Sequence, residues 1–158
     1  MIPNLFSKEK IPKKIPLEIK EVIASFKNLD DLEFMYKTYL FLGKRYKPKR
    51  GYFFYNLPRI FRKDLNYLWN QEKKHLFCHQ FNFLYRSILV KSGRFKDEDI
   101  KLKLTNTWFL MIHQYLQIKL QDKLVNVDIW AYYFGIPFGK YAHGFKAGSL
   151  FPKKSKRT

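Results

Sequence analysis

The sequence contains a single cysteine, Cys78, among 158 residues, so no disulfide can form within the chain. It also lacks any stretch approaching the ~20 consecutive apolar residues that a membrane-spanning helix needs. Residues 1–16 contain four lysines and three prolines and no continuous apolar run, so they do not resemble a secretory signal. These absences exclude a disulfide-stapled miniprotein and a membrane-spanning helix, and we expect a cytoplasmic, reducing location.

Acidic residues are few: 13 Asp and Glu stand against 31 Lys and Arg, which gives a net charge of +18. The excess is evenly spread, with 17 basic and 8 acidic residues in 1–74 and 14 and 5 in 75–158. Only 7 of the basic residues are Arg, the better donor for bidentate phosphate contacts. Two basic clusters, at 44–50 and 153–157, are expected to be solvated segments. The charge therefore allows an acidic or nucleic-acid partner without specifying one.

Hydrophobic residues make up 46% of the chain and aromatic residues 19%, which is enough to bury a core. The length fits a single domain over residues 1–158. The pattern divides this domain into an irregular arm at 1–16, a helical part at 17–92, a sheet at 100–130, a glycine- and aromatic-rich segment at 131–151 and a basic tail at 152–158.

Apolar residues with helical spacing dominate the first half of the chain. They predict helices at 17–27, 30–43, 58–70 and 78–91, with a loop at 47–55. Asp30, followed three residues later by Glu33, has the pattern of a capped helix start. Cys78 stands in the first turn of the last of these helices.

The pattern changes to alternation near residue 100, which is typical of β-strands. Strands are predicted at 100–109, 112–120 and 124–130. A helical half followed by an antiparallel meander indicates the α+β class, with the helical N-terminal half packed on a small antiparallel sheet.

The residue pair at 121–122 separates the last two strands and predicts a hairpin. An even-length turn centred there puts His113, Tyr115, Asp128 and Trp130 on one face of the sheet. His113 and Asp128 are then diagonal neighbours on adjacent strands, within side-chain reach of each other. An odd-length turn would place them on opposite faces.

Cys78, His113 and Asp128 together meet the needs of nucleophilic thiol catalysis. The nucleophile is the thiolate, which a helix N-terminus and an imidazolium both favour. The histidine holds and returns the proton, and the aspartate accepts a hydrogen bond from its other ring nitrogen. Backbone N–H groups at the helix start, including that of Cys78, can stabilise an oxyanion.

The order of these residues also resembles the transglutaminase-like cysteine superfamily. The resemblance rests on Cys78 at a helix start, on His113-Gln114-Tyr115 in one strand and on Val127-Asp128 in the next. Residues 135–139 and 142–145 extend it to uncharacterised prokaryotic members. It implies a papain-like core in which Cys78 is the nucleophile, His113 the base and Asp128 the residue that orients the histidine.

The superfamily pattern leaves the side-chain oxyanion donor unassigned, and Gln71, Trp69 and Gln80 are the candidates. Tyr115 and Trp130 are candidates for walls of the site that exclude water. Tyr115 also stands where many members have tryptophan.

Two functions from different classes follow. The preferred one is acyl transfer from an amide of a protein or peptide substrate through a thioester, which is resolved by water or by a second amine. The alternative is a non-catalytic binding module on the same fold, whose basic surface contacts nucleic acid or an acidic protein. No membrane partner is expected, and the sequence leaves the oligomeric state open.

A metal site is the remaining alternative. His75, Cys78 and His79 lie within about one helical turn, so they could chelate a metal with His113 as the fourth ligand. Their spacing is not a standard zinc signature, and helical geometry directs His79 about 100° away from Cys78. We therefore predict no metal and no cofactor.

Overall fold

A computed structural model describes residues 7–48, 57–71, 75–107 and 111–145. Several sequence predictions lie outside these residues: the first part of the N-terminal arm, most of the loop at 47–55, the end of the first predicted strand at 108–109, the basic cluster at 153–157 and the tail at 152–158. Within the described ranges the chain has the predicted α+β class, with helices first and a three-stranded antiparallel sheet after them.

The three longest helices of the described helical half are α1 (Leu17–Ser25), α2 (Asp31–Arg45) and α5 (Cys78–Lys91). Helix α2 begins as predicted, because the Asp30 carboxylate accepts a hydrogen bond from the Glu33 N–H at 2.8 Å. Helix α5 has the predicted bounds and is the most deeply buried element, since every residue from Gln80 to Leu89 is buried.

The single helix predicted at 58–70 is wrong. The structure has two short helices instead, α3 (Leu57–Ile60) and α4 (Leu65–Trp69). The break has a local cause: Asp64 is extended, and its side chain accepts a hydrogen bond from the Tyr67 N–H at 2.7 Å. An aspartate that caps a new helix in this way cannot also continue the preceding one.

The prediction of a loop at 47–55 is also wrong for its first two residues, which form a short strand. Strand β1 (Lys47–Pro48) pairs in parallel with strand β2 (His75–Leu76), which leads directly into α5. This pairing joins segments that are distant in sequence and so leaves no local pattern.

The sheet consists of β3 (Ile100–Thr107), β4 (Met111–Leu120) and β5 (Lys123–Val127), in that order. The hairpin register is the predicted one: Leu120 opposes Lys123, and Leu116 opposes Val127. The third strand is shorter than predicted. Its last three predicted residues, 128–130, leave the sheet, and helix α6 (Ile129–Tyr132) begins there.

Side-chain hydrogen bonds join α5 to both of its neighbours. The Tyr85 hydroxyl donates to the Met35 carbonyl of α2 at 2.9 Å, and the Asn82 amide donates to the Gln114 carbonyl of β4 at 3.0 Å. Asn82 is one turn after Cys78, and Gln114 follows His113. These contacts therefore bring the start of α5 to the part of β4 that carries His113.

Among the described residues, no helix is long and apolar enough to cross a membrane.

Helix α6 packs closely on α2 at Gly43. A Cβ atom added at Gly43 would lie 2.6 Å from Cδ1 and 2.7 Å from Cγ of Tyr132. These are ring atoms near the root of the side chain, so the ring cannot swing aside without moving α6.

We therefore expect Gly43→Ala to destabilise the fold by about 1–3 kcal/mol, because overpacking outweighs the better helix propensity of alanine. Urea unfolding monitored by circular dichroism gives the value. Lys44→Ala, at the next and exposed position of α2, is the control and is expected to change stability by less than about 0.5 kcal/mol. Equal stability of Gly43→Ala and the wild type would contradict the close packing.

Candidate active site

Cys78 is the first residue of α5 and follows an extended Phe77. The Phe77 N–H donates to the Gln80 side-chain oxygen at 3.1 Å. The Gln80 amide nitrogen in turn donates to the carbonyls of Arg59 and Arg62, at 2.9 and 3.2 Å. Gln80 therefore fixes the turn that presents Cys78, and its amide hydrogens are occupied by these carbonyls. This assigns Gln80 a different task from the predicted oxyanion donor.

His113 lies on β4 opposite Thr105 and is 3% exposed. Its Nε2–H donates to Oδ2 of Asp128 at 2.7 Å, and the predicted register had placed these two side chains within reach of each other. The Trp130 ring packs against the imidazole, with 4.7 Å between ring centroids. Trp130 was predicted to reach His113 from a strand, but it does so from α6.

Asp128 ends the sheet and caps α6. Its Oδ1 accepts from the Ala131 N–H at 3.2 Å, and its Oδ2 accepts from the Ala142 N–H at 2.9 Å as well as from His113. The side chain is 2% exposed, so these three donors replace the water that a carboxylate otherwise needs. The contact with Ala142 was not predicted, because it comes from an irregular segment.

Cys78 is a half-buried free thiol, and an interaction with the His113 ring helps to lower its pKa. Because Nε2 of His113 is held by Asp128, Nδ1 is the ring nitrogen left to interact with the sulfur. The structure thus brings the three predicted residues together in the order Cys78, His113, Asp128.

The electrostatics of this group favour a thiolate beside an imidazolium. Burial raises the pKa of the Cys78 thiol, but hydrogen bonds and charges from His113 and His79 outweigh it and bring the pKa down to about 5. Burial lowers the pKa of His113, but Asp128 and Cys78 outweigh it and raise the pKa to about 10. These opposite shifts favour a negative sulfur and a positive ring at neutral pH.

His79 follows Cys78 in α5, and the helical geometry predicted that its side chain is directed away from the thiol. Its side chain is one of the groups that lower the pKa of Cys78. Its Nε2–H donates to the Ile60 carbonyl at 2.7 Å, and its ring stacks on Phe77. The only sequence signal was its position next to the cysteine.

Tyr115, a predicted wall residue, is two residues after His113 on the same face of β4. Its ring stacks on Tyr141 at 4.1 Å with 2° between the planes. Burial and the neighbouring Tyr141 raise the pKa of Tyr115 to about 12. Both rings border an open groove of about 330 Å³, whose other lining residues are Leu104, Thr105, Asn106 and His143. The groove lies beside the histidine because Thr105 directly opposes His113 in the sheet.

The two remaining oxyanion candidates have other surroundings. The Trp69 ring is buried between Phe41 and the Arg45 guanidinium, and its carbonyl accepts from the Tyr46 hydroxyl at 2.8 Å. Gln71 is half-buried just after α4. In the part of the chain that the structure describes, no hydrogen bond joins the Gln71 side chain to Cys78, His113 or Asp128.

Among the described residues, no group of three or more His, Cys, Asp and Glu side chains is placed to hold a metal ion. The fold and the site together define an α+β protein in which the buried pair of His113 and Asp128 lies next to a Cys78 thiol of low pKa. Comparisons with protein-family models, with curated proteins and with solved structures give no match. The functional argument therefore rests on the chemistry of these side chains.

Proposed function

We propose that this protein is a transglutaminase-like thiol enzyme that transfers an acyl group from an amide of a protein or peptide substrate. The observation that carries the proposal is the buried hydrogen bond between His113 and Asp128, beside a Cys78 thiol whose pKa is lowered by its interaction with the His113 ring. A thiolate at a helix start, an imidazole beside it and a carboxylate that orients the imidazole are the parts that acyl transfer at a cysteine uses.

In the first step the Cys78 thiolate attacks the amide carbonyl and forms a carbon–sulfur bond. The carbonyl electrons move to the oxygen, and the N–H of Cys78 at the start of α5 is a candidate donor to that oxyanion. The intermediate collapses by breaking the carbon–nitrogen bond, and the departing amine takes the proton of the His113 imidazolium. A thioester on Cys78 and a neutral His113 remain.

Acylation also makes His113 a better acid at the moment when it is needed. The negative sulfur is one cause of the raised pKa of His113, and that charge disappears when the thioester forms. In the second step the neutral ring takes a proton from water or from an amine, which attacks the thioester. Cys78 leaves as the thiolate, and the imidazolium is restored.

Asp128 has a separate role in both steps. By accepting from Nε2 of His113 at 2.7 Å, it keeps that nitrogen protonated and directs the other nitrogen to the sulfur. The Ala131 and Ala142 N–H groups hold the carboxylate in place.

A basic binding module, the alternative function, would not require a thiol of low pKa. The free thiolate would need a reducing compartment such as the cytoplasm.

The proposal is tested by the pH dependence of Cys78 alkylation with iodoacetamide, followed by intact mass spectrometry between pH 4 and 9. We expect a midpoint near pH 5 for the wild type. In His113→Gln the midpoint is expected to rise by roughly two pH units or more, because the charge partner is lost. The midpoint is a better readout than the alkylation rate at one pH. A higher thiol pKa makes the thiolate rarer but also about threefold more nucleophilic per pKa unit, so the two effects partly cancel in a single rate.

Acyl transfer itself is tested with p-nitrophenyl acetate as the acyl donor. The wild type is expected to release p-nitrophenolate in a burst and to carry an acetyl group on Cys78, and Cys78→Ala is expected to do neither. A midpoint of alkylation near pH 9 in both the wild type and His113→Gln would exclude the enzyme reading. Binding of nucleic acid that weakens steeply with salt, without acylation, would support the binding module instead.

A further inference from the structure

We propose that the outer edge of β3 binds an extended peptide as an additional strand, and that this peptide alternates acidic and apolar side chains. Strand β3 lies at one edge of the three-stranded sheet, so one side of its backbone has no partner among the described strands. The proposal goes beyond acyl transfer and does not depend on it, because it concerns the binding of a polypeptide and not the reaction of Cys78.

The backbone N–H and C=O of Leu104 point outward from this edge. The Asn106 carbonyl accepts a hydrogen bond from the Gly144 N–H at 2.8 Å, on the side of β3 that faces away from β4. In an antiparallel pair, residues whose backbone groups point outward alternate with residues whose groups point to the partner strand. Leu104, two residues before Asn106, therefore also directs both groups outward. In the part of the chain that the structure describes, no backbone hydrogen bond reaches them from outside the sheet.

The groove beside His113 provides the space for a peptide at this edge. Its volume is about 330 Å³, and Leu104 and Asn106 both line it. The contact with Gly144 closes the edge at Asn106, so an added strand pairs at Leu104 and towards the start of β3. A peptide strand offers N–H and C=O groups at the spacing that the outward groups of Leu104 require.

The two faces of β3 favour different side chains in the added strand. Leu104 is 51% exposed, and Ile112, its diagonal neighbour on β4, is 61% exposed on the same face. Lys101 and Lys103 lie on the opposite face, because successive side chains of a strand alternate. A matching peptide therefore places apolar side chains beside Leu104 and acidic side chains beside the lysines.

The two lysines also determine which occupant the edge accepts. Among the described residues neither Lys101 nor Lys103 forms an ion pair, whereas Asp97, which stands before β3, lies 3.2 Å from Arg86. A second copy of this chain, with its net charge of +18, would bring like charges to the shared edge. A nucleic acid could contact the lysines, but it has no alternating N–H and C=O groups to pair with Leu104. The edge thus favours an acidic peptide segment of another protein.

The test uses fluorescein-labelled octapeptides that alternate Glu and Val, with binding followed by fluorescence polarisation at physiological salt. Two further versions carry backbone N-methyl groups, either on every valine or on every glutamate. In an antiparallel added strand the valine opposite Leu104 donates its N–H to β3, and in a parallel one the flanking glutamates donate. We expect one N-methylated version to bind about tenfold more weakly and the other to bind like the unmodified peptide.

Variants of the protein test the same edge from the other side. Leu104→Pro removes the outward N–H without breaking the ladder to β4, and it is expected to weaken binding of the unmodified peptide at least about fivefold. Leu104→Ala keeps the N–H and controls for the lost side chain, so we expect a smaller effect. Lys103→Gln is expected to weaken binding about threefold, and Lys123→Gln, an exposed lysine on β5 at the other edge of the sheet, is the matched control.

The proposal is supported when one N-methylated peptide loses binding, the other does not, and Leu104→Pro binds more weakly than Leu104→Ala. It is overturned when the unmodified peptide does not bind or when N-methylation has no effect in either version. Displacement by single-stranded oligothymidylate together with that indifference to N-methylation would mean binding by charge alone. Circular dichroism confirms folding, and the N-methylated peptides decide if Leu104→Pro does not fold. Cys78→Ala is expected to bind the peptide like the wild type, so a failure of the thiol chemistry leaves this result unaffected.

Discussion

Replacing Asp128 with asparagine is expected to slow the acylation of Cys78 by about 10²–10⁴-fold. The asparagine amide, facing Nε2 of His113, can donate where the carboxylate accepts. Nε2 then carries no hydrogen and the ring hydrogen moves to Nδ1, the atom that must receive the thiol proton. The neutral pair of thiol and imidazole is thereby favoured, and the alkylation midpoint of Cys78 rises from about 5 towards that of an ordinary thiol.

The same change has a structural cost that must be measured separately. Asp128 accepts from two backbone N–H groups besides His113, those of Ala131 and Ala142. An asparagine that turns its nitrogen to His113 has one oxygen for both, so one buried donor loses a good acceptor at a cost of about 1–3 kcal/mol. Urea unfolding measures this cost, and the acylation rate with p-nitrophenyl acetate is then measured where the variant is folded.

Asp122→Asn is the matched control, because it makes the same chemical change in the exposed hairpin turn. It is expected to leave both acylation and stability unchanged. Nitrogen-15 spectra of His113 report directly which ring nitrogen carries the hydrogen. A folded Asp128→Asn protein that is acylated within about threefold of the wild-type rate would refute the orienting role of the carboxylate.

The three central side chains could be predicted because each depends on a regular repeat. Cys78 follows from the apolar stripe that fixes the start of α5, and the relation of His113 to Asp128 follows from the hairpin register. Successive side chains of a strand point to opposite faces of the sheet. A shift of one residue in the pairing register would therefore move His113 to the other face. Tyr115 was assigned to the correct face for the same reason.

The surroundings of the site could not be predicted, because they depend on side-chain hydrogen bonds between segments. Asp128 caps α6 through Ala131, and this turns Trp130 from a strand residue into a helix residue. The His79 ring is held by a carbonyl from another segment, that of Ile60, and it stacks on Phe77. A helical projection gives the direction of the Cα–Cβ bond and not the position of a ring two bonds further out.

The resemblance to the transglutaminase-like superfamily is a proposal. The residues that precede and follow Cys78 show where this chain departs from the superfamily pattern. The residue two before the cysteine is Leu76, which pairs in parallel with Pro48, whereas many superfamily members have glycine there. The tight turn that presents Cys78 is supported here by the Gln80 side chain, which bonds the Phe77 N–H and two carbonyls of the preceding segment. Gln80 therefore stabilises the turn that carries the thiol in this chain.

The second large effect is expected in the pH dependence of folding stability. The pKa of Cys78 falls from 9.0 to about 5 on folding, so its contribution is fully present above pH 9 and is lost as the pH falls through about 5. The pKa of His113 rises from 6.5 to about 10, so its contribution is fully present below pH 6.5 and is lost as the pH rises through about 10. Between pH 6.5 and 9 the folded and unfolded pairs bind the same number of protons, and the wild-type contribution of the pair is flat.

Variants that remove either Cys78 or His113 separate the contributions of the two side chains to the pH dependence of stability. The free energy of unfolding of the wild type minus that of Cys78→Ala is expected to increase by about 2–3 kcal/mol between pH 5 and 7, at ~1.4 kcal/mol per unit of pH. The same difference taken with His113→Gln is expected to increase between pH 5 and 6.5 and then to level off, because the raised thiol pKa of that variant keeps Cys78 largely protonated in this range in both its folded and unfolded states. Urea unfolding at half-unit intervals between pH 5 and 9 measures both, and subtraction cancels the titration of groups that the variants share with the wild type. Differences that are independent of pH would mean that the sulfur and the ring are both neutral in the folded protein, which would leave Cys78 a buried thiol and His113 a structural histidine.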